Sequence, residues 1–309
     1  MKPNYEFTVF TPTYNRAYII EKLYESLKRQ TFRDFEWLVV DDGSSDNTQE
    51  LFDQICQESL FPVHYIRVEN GGKHRAINVG VNHAQGRLFF IVDSDDYLVD
   101  DALERIITAE RSIPRNTGVK YSGVRALQCY PDGSITGTRF SEDAYIDMTQ
   151  LEEAKLGVAG DKCEAFYTEV MKLFPFPEFE GEKFLGECVV WDKIAAHGYK
   201  NRCINEAVYV CEYLGDGLTA GIKTHHKKNP KGMGLYIYQS IRYKKLTGWD
   251  KRYTVRNYYD LHKDDLDLQE IANNLHMTAA YLAVYLRWIQ VRIFFRRKWR
   301  GLKRRLAGK

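Results

Sequence analysis

The feature that most restricts what this chain can fold into is an alternation of strand-like and helix-like runs over roughly its first 125 residues, the pattern of βαβ units around a mostly parallel sheet. Phe7–Thr11 is a β-rich run that ends at Pro12, and Ile19, Ile20, Leu23 and Leu27 then share one face of a helix. Strands are predicted at Trp37–Val40, Val63–Val68 and Leu88–Val92. Between and after them, helices are predicted from near Asp46 (carrying Leu51, Phe52 and Ile55), over Lys73–His83, and over Asp101–Arg111. Ser45 and Asp46 suit the helix start, because their side-chain oxygens accept first-turn N–H groups. Beyond this point the pattern changes. Gly118–Cys129 and Ser134–Phe140 flank Tyr130-Pro131-Asp132-Gly133 and read as a hairpin about Asp132-Gly133. Residues 150–215 mix short helices with Gly and Pro, residues 230–309 read as wholly helical, and the Gly/Lys-rich stretch Gly221–Gly234 marks the junction.

Polar clusters fall where such a sheet binds ligands, just past the carboxyl ends of its strands. They are Thr11-Pro12-Thr13-Tyr14-Asn15, Asp41-Asp42-Gly43-Ser44-Ser45-Asp46, Asn70-Gly71-Gly72-Lys73-His74-Arg75 and Asp93-Ser94-Asp95-Asp96. Alone, each also reads as a turn, a helix cap or a solvated loop. The last is the most demanding. Three carboxylates within four residues, straight after an apolar strand, repel one another unless a cation or a donor sits among them. Such an oxygen-rich site suits Mg²⁺ or Mn²⁺ bridging to a diphosphate.

Charge and composition exclude other classes. Apolar residues make up 44% of the 309 and charged residues 28%, which rules out a disordered or fibrous chain. The net charge of +2 conceals an asymmetry: ten Lys or Arg and no acid lie between Arg287 and Lys309, leaving 34 basic against 42 acidic residues before them. Ala279–Leu306 interleaves these cations with Tyr, Trp, Phe and Leu, so it suits the interface of an anionic membrane; the alternative is that its aromatic face packs on the body or on a second subunit. No nucleic-acid-reading motif accompanies the charge. The six cysteines are scattered without a CxxC pair and read as reduced, mostly buried thiols of a cytoplasmic protein, and no secretory leader or membrane span is predicted.

Taken together, Thr11-Pro12-Thr13-Tyr14-Asn15-Arg16, Gln30-Thr31-Phe32 through Trp37–Asp46, Asn70-Gly71-Gly72-Lys73 with Ala76 and Asn78-Val79-Gly80, and Asp93-Ser94-Asp95-Asp96 resemble the family 2 glycosyltransferases of the GT-A fold, over Phe7 to about Thr219. The resemblance implies a Rossmann-like catalytic domain over 1–220 that binds a nucleotide-sugar, followed by a helical extension over 221–309. It implies that Thr11, Pro12 and Tyr14 hold the base, with Tyr14 stacking, and that Asp42 accepts from a uracil-type imide N–H. Lys73 and Arg75 would touch the base or the phosphates. Asp93 and Ser94 would face the ribose or donor sugar, and Asp93 with Asp95 would form the DxD-type pair, Asp95 holding Mn²⁺ or Mg²⁺ on the diphosphate. Gly157–Lys162, including Gly160, resembles the glycine segment near the donor sugar, although a plain loop reads the same.

The family's base is an acidic residue at the start of a helix. Setting Val190 and Lys193 at that helix's apolar and basic positions puts Glu187 on the base, with Glu182 in reserve; a helix-start glutamate favoured by the dipole is the other reading. Relatives carry a further metal-binding histidine where Leu214 stands here, for which His225 or His226 are substitutes. The activity implied is inverting transfer from a nucleotide-sugar, with UDP as the expected nucleotide, to a glycan or lipid-linked acceptor in surface polysaccharide synthesis, peripheral at the inner membrane face. A nucleotidyltransferase would need a Gly-rich, Lys/Arg-bearing loop after the first strand, a dehydrogenase a GxGxxG there, and neither is present. A non-catalytic nucleotide- or glycan-binding module remains the other class.

Overall fold

The computed structural model describes residues 3–212, 215, 217 and 221–292. It divides into two compact units, Met1–Ile222 and Lys223–Lys309. The first is an α/β layer. Its elements run β1 (Tyr5–Thr13), α1 (Glu21–Lys28), β2 (Phe35–Asp41), α2 (Thr48–Glu58), β3 (Val63–Arg67), α3 (Lys73–His83) and β4 (Gly86–Ile91). There follow β5 (Tyr97–Leu98), α4 (Ala102–Arg111), β6 (Lys120–Cys129), β7 (Tyr145–Met148), α5 (Glu153–Leu156), β8 (Lys162–Tyr167), α6 (Thr168–Leu173), α7 (Cys188–Ala196) and β9 (Tyr199–Val210). One sheet takes them in the order β3-β2-β1-β4-β8-β6-β9-β5, with β7 on β9.

The first four strands are mutually parallel, as the alternating pattern predicts. Every residue of β2 is buried, as expected of a parallel strand covered on both faces. One face carries Phe7, Val9, Trp37, Val39, Leu88 and Phe90 into the main core with Leu23 and Leu27 of α1 and Leu103, Ile106 and Ile107 of α4. On the other, Phe10 stacks on Phe89 at 4.8 Å, and α3 approaches so closely that a methyl group on Gly80 would meet the Phe10 ring at 2.2 Å. The chain steps outward from β1 to β2 and β3, then returns to β4 on the other side of β1. That reversal is the topological switch point at which open α/β sheets bind ligands.

The second half of the sheet departs from the reading of 150–215 as short helices and loops, because β8 and the 12-residue β9 lie there. Their sequences hide them: β9 carries Asn201, Arg202 and Asn205, yet Arg202 is 1% exposed because Asp147 takes its Nε at 2.5 Å and Tyr145 its guanidinium face. Paired polar residues sit in the core and erase the hydrophobic alternation. The expected hairpin is reduced to its turn. Ser134 and Gly133 close onto Tyr130, but only Cys129 and Ile135 form a bridge. Both edges of β6 are already occupied, by β8 and β9, so a hairpin partner has nowhere to pair.

The second unit is helical: α8 (Ile222–Lys228), α9 (Pro230–Arg242), α10 (Gly248–His262), α11 (Leu268–Asn274) and a helix over 279–292. Ile237, Val255, Tyr258, Ile271, Leu275, Leu282 and Leu286 form its core. Of the basic tail, 293–309 lie outside the described residues. The six cysteines are free thiols, four of them buried, and among the described residues no helix is long and apolar enough to cross a membrane.

Candidate active site

Four loops leave the carboxyl ends of β1 to β4, and side-chain bonds to backbone tie them together. Asn15, in the left-handed region at φ +53°, accepts the Ser45 N–H on its Oδ1 at 2.7 Å, and its own N–H donates to Ser44 Oγ at 2.8 Å. The buried Asp41 fixes the second loop from below, receiving Ser44 N–H at 2.8 Å and the Tyr65 hydroxyl at 2.5 Å. The cap position of α2 is Asn47, one residue later than expected; Asp46 beside it accepts Thr48 N–H on one oxygen and Ala17 N–H on the other. Thr11 and Pro12 are buried in β1, where Thr11 Oγ1 accepts from the Trp37 indole at 3.0 Å. Of the three residues expected at the base, Tyr14 alone presents an exposed side chain, at 48%.

Asp42 organises the third loop. Its Oδ1 receives Gly71 N–H at 2.7 Å and its Oδ2 receives Gly72 N–H at 2.8 Å and Asn70 Nδ2 at 3.1 Å. Burial raises its pKa, and the two glycine N–H groups work against that rise. Gly72 must be glycine: its φ is +98°, and an added methyl group would lie 1.8 Å from the Lys183 carbonyl oxygen. The segment before α7 therefore rests directly on this loop. Arg75 holds it there by donating to the carbonyls of Gly71, Phe179 and Glu182 and to the Glu178 carboxylate. Arg75, expected at the base or phosphates, thus has four of its donors engaged by protein.

Lys73, the next residue along, joins the expected catalytic carboxylate Glu187 to Asp93 of the expected metal pair. Its Nζ lies 2.7 Å from Asp93 Oδ1 and 2.8 Å from Glu187 Oε1. Burial disfavours the ammonium, but the charges of Asp93 and Glu187 outweigh it and hold its pKa above the ordinary value. Glu187 stands immediately before α7 with its side chain a third exposed. Glu182, the reserve candidate, is buried in the loop before it. Nearby on β8, Glu164 is pushed up to about 7, by burial first and in part by the charge of Glu187, against the Arg125 guanidinium at 3.0 Å.

The acidic turn after β4 divides its labour. Asp96 points inward, accepting the Tyr209 hydroxyl at 2.7 Å and Glu212 N–H at 2.9 Å; burial and then the charge of Asp93 push it up to about 7. Ser94 is buried between them. Asp95 is raised by burial and by Asp93, with Arg16 and Lys73 pulling the other way. Two carboxylates sharing one turn, one of them already raised by the other's charge, form an oxygen set that a divalent cation relieves. Among the described residues no cluster of three or more His, Cys, Asp or Glu forms a ready-made cage. Asp93 and Asp95 are the residues that would hold Mg²⁺ or Mn²⁺, ions that one or two carboxylates suffice to bind when phosphates complete the site.

Gly160, at φ +81°, packs against Gly137, with 2.6 Å between a methyl group placed there and Gly137 Cα, and its carbonyl accepts from Lys162. His225 and His226 are on α8 of the second unit. Leu214, Leu218 and Thr219 lie outside the described residues. Tyr209 escaped sequence reading because its strand did; Val208-Tyr209-Val210 was the only local signal.

Residues 8–116 match the family model for glycosyl transferase family 2. The poly(ribitol-phosphate) beta-N-acetylglucosaminyltransferase TarS of Staphylococcus aureus (strain Mu50 / ATCC 700699) is 35% identical over 101 residues, 32% of this chain and 18% of that protein. The chain thus spans less than a fifth of that relative's length. The crystal structure of S. aureus TarS 1-349 in complex with UDP-GlcNAc is similar in fold, with a TM-score of 0.58 and 21% identity over 84% of this chain and 73% of that one. The mannosyltransferase PcManGT from Pyrobaculum calidifontis, in complex with GDP-Man and Mn²⁺, gives 0.51 and 20% over 91% and 74%. With its β1-to-β4 sheet, its switch-point loops and its acidic turn, the chain shares the GT-A fold of these structures, and residues 8–116 match the glycosyl transferase family 2 model.

Proposed function

We propose that the chain is an inverting glycosyltransferase that moves a sugar from a nucleotide-sugar, with uridine as the base, to a hydroxyl of a glycan or lipid-linked acceptor in surface polysaccharide synthesis. The observation that carries this reading is Lys73. By pairing with both Asp93 and Glu187 it brings a carboxylate from the turn after β4 and one from the start of α7 to one place, although 94 positions separate them in the chain. Tyr14 offers an exposed ring for the base, and Asp42 holds the loop beside it. Asp95 and Asp93 would hold the cation, which when bound supplies positive charge to the departing diphosphate. Glu187 takes the proton from the acceptor hydroxyl as that oxygen attacks the anomeric carbon opposite the leaving group. Lys73 positions Glu187 and would meet the negative charge of the diphosphate beside Asp93.

The helix over 279–292 exposes Tyr281, Val284, Trp288 and Val291, and guanidinium groups of Arg252 and Arg292 lie over the Trp288 ring. Aromatic and basic groups together support peripheral attachment of this unit to an anionic membrane face, where a lipid-linked acceptor would be found. Melting the protein with UDP-, GDP- and dTDP-sugars, each with and without Mn²⁺, tests the donor. A UDP-sugar at about 100 times its Kd should stabilise by roughly 2.7 kcal/mol, or about 5–10 °C, and only with the metal. If no nucleotide shifts the transition at millimolar concentration, the reading fails.

A further inference from the structure

Deepening the transferase reading, on which it rests, we infer that Tyr209 is a positioning residue for the cation-binding turn Asp93-Ser94-Asp95. The turn leaves β4 and enters β5, and β5 pairs antiparallel with the end of β9, setting Leu98 opposite Tyr209 and Tyr97 opposite Val210. From there the Tyr209 hydroxyl reaches beneath the turn and makes two bonds of opposite sense. It accepts the Asp93 N–H at 3.0 Å and donates to Asp96 Oδ2 at 2.7 Å. Asp96 Oδ1 in turn takes the N–H of Glu212, two residues beyond the end of β9, at 2.9 Å. One phenol thus grips both flanks of Asp95: the backbone two residues before it and the carboxylate one residue after it. The turn has only one internal closure, Asp96 N–H to the Asp93 carbonyl at 3.2 Å, so the neighbouring strand supplies the rest of its definition.

Packing alone does not call for the hydroxyl. The Tyr209 ring is 3% exposed, belongs to the main core and meets Phe90 edge-on at 6.5 Å, so a phenylalanine would fill the same space. A polar oxygen in an apolar core costs free energy unless it is bonded, and both bonds that satisfy this one lead to the acidic turn. Loss of the oxygen would leave Asp93 N–H and Asp96 Oδ2 without this partner and let the turn choose other conformations. The two carboxylates would then meet a cation with their geometry no longer set in advance. Groups that orient a metal's own ligands typically contribute 10–100-fold in affinity.

Mn²⁺ binding followed by the loss of the free-ion paramagnetic resonance signal, in the presence of UDP, reads this directly and needs no turnover. Tyr209→Phe should weaken Mn²⁺ binding by about 10–100-fold. Tyr167→Phe is the control: its partly buried hydroxyl also bonds a carboxylate, Glu110 at 2.7 Å, in the same sheet but away from the turn. It should lower the melting temperature comparably and leave Mn²⁺ affinity unchanged. Asp96→Asn, which keeps the shape and removes the charged acceptor, should move affinity in the same direction as Tyr209→Phe and by less. Equal Mn²⁺ affinity in wild type and Tyr209→Phe overturns the assignment while leaving the transferase reading intact. Equal losses in Tyr209→Phe and Tyr167→Phe overturn it too, since general destabilisation would then account for both. A wild-type protein that takes up no Mn²⁺ with UDP overturns both this and the reading beneath it.

Discussion

Replacement of Glu187 by glutamine is expected to lower turnover by about 10²–10⁴-fold while nucleotide-sugar affinity stays within a few-fold, because a positioned base contributes that much and binds no part of the nucleotide. Glutamine keeps the size of the side chain and removes its ability to accept a proton. Lys73 loses one charged partner but keeps both oxygens of Asp93, at 2.7 and 2.9 Å, so the loop that carries it should stay in place. Initial rates of nucleotide release, read beside calorimetric donor affinity, separate the two effects. Glu182→Gln is the comparison. Glu182 is buried in the loop before Glu187, where its carbonyl accepts from Arg75, and its substitution should cost far less turnover. Equal rates for Glu187→Gln and wild type would place the base elsewhere.

The second large effect is expected from Gly72→Ala. The methyl group would stand 1.8 Å from the Lys183 carbonyl oxygen on a residue whose φ is +98°, so strain and overlap act together. Each of these costs on the order of 1–3 kcal/mol. A combined loss of about 3 kcal/mol corresponds to a fall of roughly 6–12 °C in the melting temperature of a unit of this size. Function should suffer with stability. The Gly72 N–H is one of the bonds that hold Asp42, and Lys73 is the next residue, so a shift of the loop displaces the ammonium from Asp93 and Glu187 together. Donor binding measured well below the melting transition should therefore weaken as well. A variant that melts like wild type and binds donor normally would mean that the segment before α7 does not rest on this loop.

The parallel half of the sheet was legible because its residues obey simple periods. Trp37–Val40 is apolar throughout and flanked by polar loops, and Lys73–His83 presents Ala76, Ile77 and Gly80 to the sheet at helical spacing. The four polar clusters could be placed for the same reason, since each follows a strand that could be recognised. Strands β8 and β9 could not be read, because their polar residues include Glu164, paired with Arg125, and the buried Arg202, paired with Asp147. Ion pairs satisfied across strands look like surface in a sequence. Within the site, residue types revealed which carboxylates to watch but not which way each points: Asp96 turns inward to Tyr209 while its neighbour Asp95 keeps no such partner. Arg75 likewise has the chemistry of a phosphate ligand but is held by the carbonyls of Gly71, Phe179 and Glu182, a geometry that depends on a loop more than 100 positions away.

Calorimetric titration of UDP into wild-type protein and into Asp95→Asn, each with and without Mn²⁺, bears most directly on the grip of these carboxylates on a metal-bound diphosphate. Wild type should bind UDP tightly only when Mn²⁺ is present, and Asp95→Asn should bind weakly and indifferently to the metal. UDP binding of equal strength in all four titrations would contradict a metal-bridged site at the acidic turn.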